Sequence, residues 1–305
     1  MQPKLGRFEL ALIASFLLFL LLLISTPAAA GTPITECASP VQNVTPSTLA
    51  SSVGGSGCKT LVLASGTYSR LNISNRSTGV LTLRCATVGQ CAVGNGSVVS
   101  NVNGVIIDGI TITGGTNGLT IKASKNVLVR NSTFVEQTSA GLTANPGSQS
   151  DNIQIYDNEF RAATLGCQYG GGYCYHFPNG EPIAEMDYGV RIYDTRMVEI
   201  KGNRFGVMFN HAISLKYSVV SANIENNMFN SCGRTCNELG QNTPVSGEVL
   251  VTGNTFSGQR TYDNAVGNIK KAMIINNTFI AAKTAVRLLS GPSGRVVISS
   301  PNTFK

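Results

Sequence analysis

The chain has 305 residues, 42% of them hydrophobic, and a formal charge of +7 with no tryptophan. Such a length buries a substantial core and fits one large domain or two ordinary ones. With no basic run or basic-aromatic cluster, nothing argues for nucleic acid; only two histidines and no CxxC pair argue against a metal centre; a basic surface suits a polyanionic partner.

Lys4 and Arg7 precede an apolar run from Leu10 to Ile24, and Thr26-Pro-Ala-Ala-Ala30 follows. This is the pattern of a secretory leader, residues 1–30, cut after about Ala30. The run has 15 residues, whereas a spanning helix needs about 20, so no stable membrane span is expected after cleavage. The protein is expected to be secreted, periplasmic or in the cell envelope. The remaining chain still carries +6, from 21 basic and 15 acidic residues.

Export also accounts for the eight cysteines, which fall into four local couples: Cys37 with Cys58, Cys85 with Cys91, Cys167 with Cys174, and Cys232 with Cys236. In an oxidising compartment these are expected as short-loop disulfides.

Residues 31–59 read as a cap region. Thr45-Pro-Ser-Thr-Leu-Ala-Ser-Ser-Val53 carries its own capping residues and predicts a short helix that closes the open end of the fold. Thr60-Leu-Val-Leu-Ala-Ser-Gly-Thr-Tyr68 then reads as a strand and a turn.

From there the chain repeats. Asn-x-Phe recurs at Asn158, Asn203, Asn227, Asn254, Asn277 and Asn302, with a longer variant, Asn131-Ser-Thr-Phe134. The phenylalanines from Phe134 to Phe304 are 26, 45, 24, 27, 23 and 25 residues apart; the outlier is one period plus an insertion at about 161–186. Periods in this range mean stacked units. Alternating segments such as Gly118-Leu-Thr-Ile-Lys122 and Asn126-Val-Leu-Val-Arg130 make those units strands. The predicted fold over 60–305 is all-β: a single-stranded right-handed parallel β-helix, a solenoid with a short N-terminal cap helix. Phenylalanines stack inside it, and asparagine amides form a ladder at a bend. Asn276, which opens a glycosylation sequon, is expected on that ladder. An open parallel edge invites pairing, so self-association is expected at the C-terminal end.

The cap helix, the LVLASGTY segment and the Asn-x-Phe coils resemble the pectin lyase-like superfamily over nearly all of 40–305. That superfamily includes lyases, glycosidases, epimerases and noncatalytic surface proteins, so the resemblance specifies fold more than reaction.

Aligned on their phenylalanines, the coils read Gly118-Leu-Thr-Ile-Lys122, Gly141-Leu-Thr-Ala-Asn145, Gly189-Val-Arg-Ile-Tyr193, Ala212-Ile-Ser-Leu-Lys216 and Ala285-Val-Arg-Leu-Leu289. The second and fourth residues point inward and the third and fifth outward. Arg191, Tyr193 and Lys216 thus form a strip suited to an acidic chain, flanked by Lys122 and Asn145 as binding residues. The insertion, with Tyr175 and His176, is expected to wall one side of a cleft.

On a uronic-acid polysaccharide, β-elimination needs a cation at the carboxylate, a base for the C5 proton and an acid for the leaving oxygen. Arg191 is the candidate neutraliser, Lys216 and Tyr193 the proton carriers, and His211 and Arg234 reserves. His211-Ala-Ile-Ser-Leu-Lys216, followed by Asn-x-Phe and Asn-Ser-Cys-Gly-Arg234, is similar to the lysine and arginine region of chondroitinase B-like and alginate lyases. That resemblance implies a lysine base, an arginine acid and bound calcium. Phe209 to His211 stand where acidic calcium ligands are expected, so neither calcium nor another cofactor is assigned.

Hydrolysis needs paired carboxylates, and near the strip only Glu185, Asp187 and Asp194 are in view. The Arg-x-Pro-x-x-Arg and Asp-Pro-His-Asp motifs of pectate lyases and uronan epimerases do not occur. The expected function is a secreted lyase of an acidic polysaccharide; the alternative is a noncatalytic extracellular β-helix that binds glycan or serves as a surface structure.

Overall fold

The computed structural model describes residues 31–38, 40–144, 147–162, 186–240, 245–257, 262–280, 284–289, 295–299 and 301–305. The leader, Asn145, the insertion with Tyr175 and His176, and the Cys167–Cys174 couple lie outside them.

Short strands repeat around the chain, and each pairs in parallel with its equivalents one coil before and one coil after. Val127 faces Ile153, Phe134 faces Phe160, and Leu142 faces Val190. One face is a ten-stranded sheet from Gly66–Tyr68 to Thr303–Phe304. The other two faces join through Ser97–Asp108, which pairs with Asn117–Lys122 by its first residues and with Lys125–Arg130 by its last. Between those halves Asn101 and Gly104 take positive φ, 52° and 97°, which turns the strand from one face to the next. The N-terminal helix is a single turn, Leu49–Ser52, shorter than the predicted Thr45–Val53 segment.

The phenylalanine column is present. Phe134, Phe160, Phe205, Phe229, Phe256 and Phe279 are buried. Successive ring centroids from Phe134 to Phe304 lie 4.7 to 5.3 Å apart. This follows from the strand spacing of about 4.8 Å, and each buried ring contributes roughly 1.5–3 kcal/mol. Close approach explains a second column: a Cβ at Gly118, Gly141 or Gly189 would come within 3.0, 2.7 and 2.6 Å of the rings of Phe134, Phe160 and Phe205.

The asparagine ladder is also present, and it is directional. Asn203 Oδ1 accepts from the backbone N–H of Asn158 at 2.9 Å, while its Nδ2 donates to Ile155 O and Lys201 O. Asn227, Asn254, Asn277 and Asn302 serve the coil before each of them in the same way.

Asn131 is not a rung. Ser132 occupies that slot, and its N–H donates to Asn158 Oδ1. Asn131 instead holds the preceding left-handed position, φ 49°, as do Asp157, Asn226 and Asn276. Asn276 is therefore an exposed neighbour of the ladder rather than a member of it.

Three of the expected disulfides are formed: Cys37–Cys58, Cys85–Cys91 and Cys232–Cys236. Among the described residues no helix is long and apolar enough to cross a membrane.

Two coils break the apolar pattern. Asn237 and Asn264 continue the inward column of Leu119, Leu142, Val190 and Ile213. Asn237 Nδ2 donates to Asn264 Oδ1 at 2.8 Å. Beside them Asp263 is fully buried, and neither carboxylate oxygen has a hydrogen-bond partner among the described residues. Burial pushes its carboxyl up to about 7.

Candidate functional site

Strands Tyr188–Tyr193, His211–Lys216 and Thr235–Leu239 lie side by side on one face. Their register sets Arg191 opposite Ser214, Ser214 opposite Glu238, and Tyr193 opposite Lys216. The predicted strip of Arg191, Tyr193 and Lys216 is thus assembled on two adjacent coils.

Arg191 lies between two aromatic rings, its guanidinium carbon 5.0 Å from the centre of Tyr188 and 5.5 Å from that of Tyr193. Its Nε is buried without a hydrogen-bond partner, and among the described residues no carboxylate forms an ion pair with it. The guanidinium feels the Asp187 carboxyl at longer range, and without a direct ion pair it can still meet the carboxylate of a ligand.

Burial raises the Tyr193 phenol, with Arg191 and Lys216 pulling the other way. The group therefore stays protonated at neutral pH and is available as a proton donor. The Tyr217 ring lies 5.3 Å from it and is itself largely exposed.

Lys216 is tied to a residue that the aligned coils did not include. Its Nζ lies 3.1 Å from Glu238 Oε2. The same oxygen accepts from Ser214 Oγ at 2.6 Å and lies 3.6 Å from His211 Nε2. Glu238 is 2% exposed. The expectation that Glu185, Asp187 and Asp194 make up the local acidic groups is corrected here. Glu238 escaped because its coil, Thr-Cys-Asn-Glu-Leu, has Asn237 where the template has an apolar residue. Register with Ser214 is the signal that identifies it.

Asp187 remains close. Its Oδ1 accepts from Asn210 Nδ2 at 2.9 Å; burial raises its carboxyl, opposed by Asn210 and Arg191. Asp194 instead accepts from the Gly147 N–H in a turn.

His211, the reserve candidate, is buried. It begins its strand, is 2% exposed, and packs on Tyr188 with ring centres 5.5 Å apart. Burial lowers its pKa, so the imidazole is neutral. Nδ1 faces the Thr235 carbonyl at 3.1 Å, and a carbonyl only accepts, which makes Nδ1 the protonated nitrogen. His211 thus packs against Tyr188 and turns an unprotonated Nε2 toward Glu238, to which it donates no hydrogen bond.

Arg234 is exposed in the Cys232–Cys236 corner. Lys122 is exposed on a strand two coils before that of Tyr193. Two strand spacings, about 10 Å, make Lys122 an outlying contact for an extended polymer. Thr143 and Ser214, predicted to face outward, are fully buried. Among the described residues no group of three or more His, Cys, Asp or Glu side chains is placed to hold a metal ion.

No protein-family model and no curated protein matches the sequence. Solved structures do. An alginate lyase from Paenibacillus sp. str. FPU-7 superposes with a TM-score of 0.65 at 16% identity, over 87% of this chain and 95% of that one. A pectate lyase, Pel9A, gives 0.52 at 11% identity over 88% and 80%. An alginate lyase of the PL6 family gives 0.51 at 16% identity, over 92% of this chain and 42% of that one. At these identities the likeness is one of fold: the chain is a parallel β-helix, as these lyases are.

Proposed function

We propose that the protein is a secreted lyase that cleaves a uronic-acid-containing polysaccharide by β-elimination. The observation that carries this reading is the constellation of Arg191, without a direct ion pair among the described residues, a protonated Tyr193 and an ion-paired Lys216–Glu238 on neighbouring strands of one face. The likeness to alginate and pectate lyases supports the substrate class.

In this reading Arg191 holds the substrate carboxylate and stabilises the negative charge that develops when C5 loses its proton. Lys216 passes its proton to Glu238 and takes the C5 proton, so the pair acts as one base. The C5 electron pair forms the C4–C5 double bond and the C4–O bond breaks. Tyr193 donates its phenolic proton to the departing oxygen, and solvent then restores both groups.

The test is incubation of residues 31–305 with alginate, pectate and chondroitin while following the ultraviolet absorbance of unsaturated uronate. Absorbance that rises for the parent chain and not for Lys216→Ala is the expected result; no product on any uronan would overturn the lyase reading. A noncatalytic glycan-binding β-helix is the second reading, favoured by the fact that a Lys216–Glu238 pair also suits a purely structural role. Salt-sensitive binding without product would select it.

A further inference from the structure

Gly31, the first residue after the small-residue site at Ala28-Ala-Ala30, is buried against the third face of the solenoid. A Cβ on it would come 2.5 Å from Asn152 Oδ1, 3.0 Å from Gln154 Nε2 and 3.3 Å from Glu199 Oε2, so a larger residue would have to push these side-chain ends aside. The next residues lie across several coils. Thr32 O accepts from Asn152 Nδ2 at 2.8 Å and Gln154 Nε2 at 2.9 Å. Glu36 pairs with Arg84 and Arg130.

Glu199 is the charged centre of this pocket and is 3% exposed. Its Oε2 accepts from the Tyr156 hydroxyl, and its carboxylate accepts from the Gly31 backbone N–H. Its Oε1 lies 3.1 Å from Lys201 Nζ but receives no well-directed hydrogen bond. Lys201 is shared with Glu225 at 3.4 Å. Two carboxylates therefore face one ammonium, which leaves the cluster with one uncompensated negative charge.

We propose that this pocket is built for the α-ammonium created when the chain is cut between Ala30 and Gly31. Cleavage turns one amide N–H into a charged group with three donors at the place where the Glu199 carboxylate already accepts from that nitrogen. The mature N-terminus then locks the strap of residues 31–38 onto the coils. The inference rests on leader cleavage and is independent of the catalytic reading. Other charged groups in the cluster are Lys201 and Glu225, and burial with the Glu199 contact keeps Tyr156 a neutral phenol. Hydrogen bonds from Tyr156 and Gly31 and the charge of Lys201 hold the Glu199 carboxyl below its usual range despite burial, so it is an anion wherever the amine is charged.

The test is to secrete the full chain, find its first residue by mass spectrometry, and compare a chain beginning at Gly31 with one retaining Ala30 and with Glu199→Gln. A partnered α-amine has its folded pKa above the ordinary value of about 8, and one unit means roughly tenfold slower acylation near neutral pH. The expected results are a start at Gly31, slow acylation of that amine in the folded protein, and fast acylation in Glu199→Gln or with Ala30 retained. A melting temperature lowered by the extra alanine in the parent, but not in Glu199→Gln, would agree. A different first residue overturns the cleavage; a start at Gly31 with an amine as reactive as a free peptide's overturns the pocket.

Discussion

Lys216 Nζ lies 3.1 Å from Glu238 Oε2, a contact made across two neighbouring coils between a partly exposed ammonium and a carboxylate that is almost fully buried. If this pair is the base, Glu238→Gln keeps the shape and an acceptor for Ser214 but removes the site that receives the lysine proton. The turnover rate should fall about 10²- to 10⁴-fold, the usual worth of general acid–base assistance, with KM little changed. Initial rates of unsaturated-product formation check this. Equal rates in parent and variant would assign Glu238 to structure alone.

Arg191 tests the carboxylate contact separately. Arg191→Lys keeps the charge but loses the planar group that stacks between Tyr188 and Tyr193. The expected result is a KM raised roughly tenfold, in keeping with the worth of a desolvated cation–π contact. A variant with unaltered KM would remove Arg191 from the binding strip.

Asp263 gives the fold a pH signature. An unfolded carboxyl titrates near 3.9, whereas burial places this one at about 7 in the folded chain. Between roughly pH 4 and 7 the folded state holds a proton that the unfolded state has released, so stability falls as pH rises and levels off above about 7. Asp263→Asn should flatten that decline and be the more stable chain at pH 8, by a few kcal/mol at most. Urea midpoints at pH 4 and pH 8 measure it; parallel profiles for the two chains would show that Asp263 titrates normally.

Much of this architecture was legible because it is periodic. Phe205 and Asn203 recur where each coil needs a ring and an amide, and a period survives in sequence without knowledge of its contacts. The strip of Arg191, Tyr193 and Lys216 was legible for the same reason. Glu238 was not, since Asn237 broke the inward-apolar template and removed its coil from the alignment. The burial of His211 was equally hidden, because a polar residue at a strand start reads as exposed. Asn131 misled through proximity: it lies one place before the rung, where the left-handed backbone favours asparagine for a different reason.

The ladder itself predicts a large effect from a conservative change. Asn203→Ala leaves the buried Asn158 N–H without its acceptor and removes the amide's bonds to the carbonyls of Ile155 and Lys201, of which the second still accepts from the Asp157 N–H. An orphaned buried group costs about 1–3 kcal/mol, so a loss of at least that size in urea unfolding is expected. A loss under about 1 kcal/mol would mean that water replaces the amide.

Because every rung completes the bend of the coil before it, the solenoid has a grammar that runs in one direction. Asn302 serves Asn277, Asn277 serves Asn254, and so back to Ser132. A polypeptide emerging amino end first always carries one unfinished corner, whose amide waits for a residue some 25 positions later. Elongation and closure are thereby staggered by one lap. Shortening the protein by whole laps should move that open corner along the axis without ever removing it.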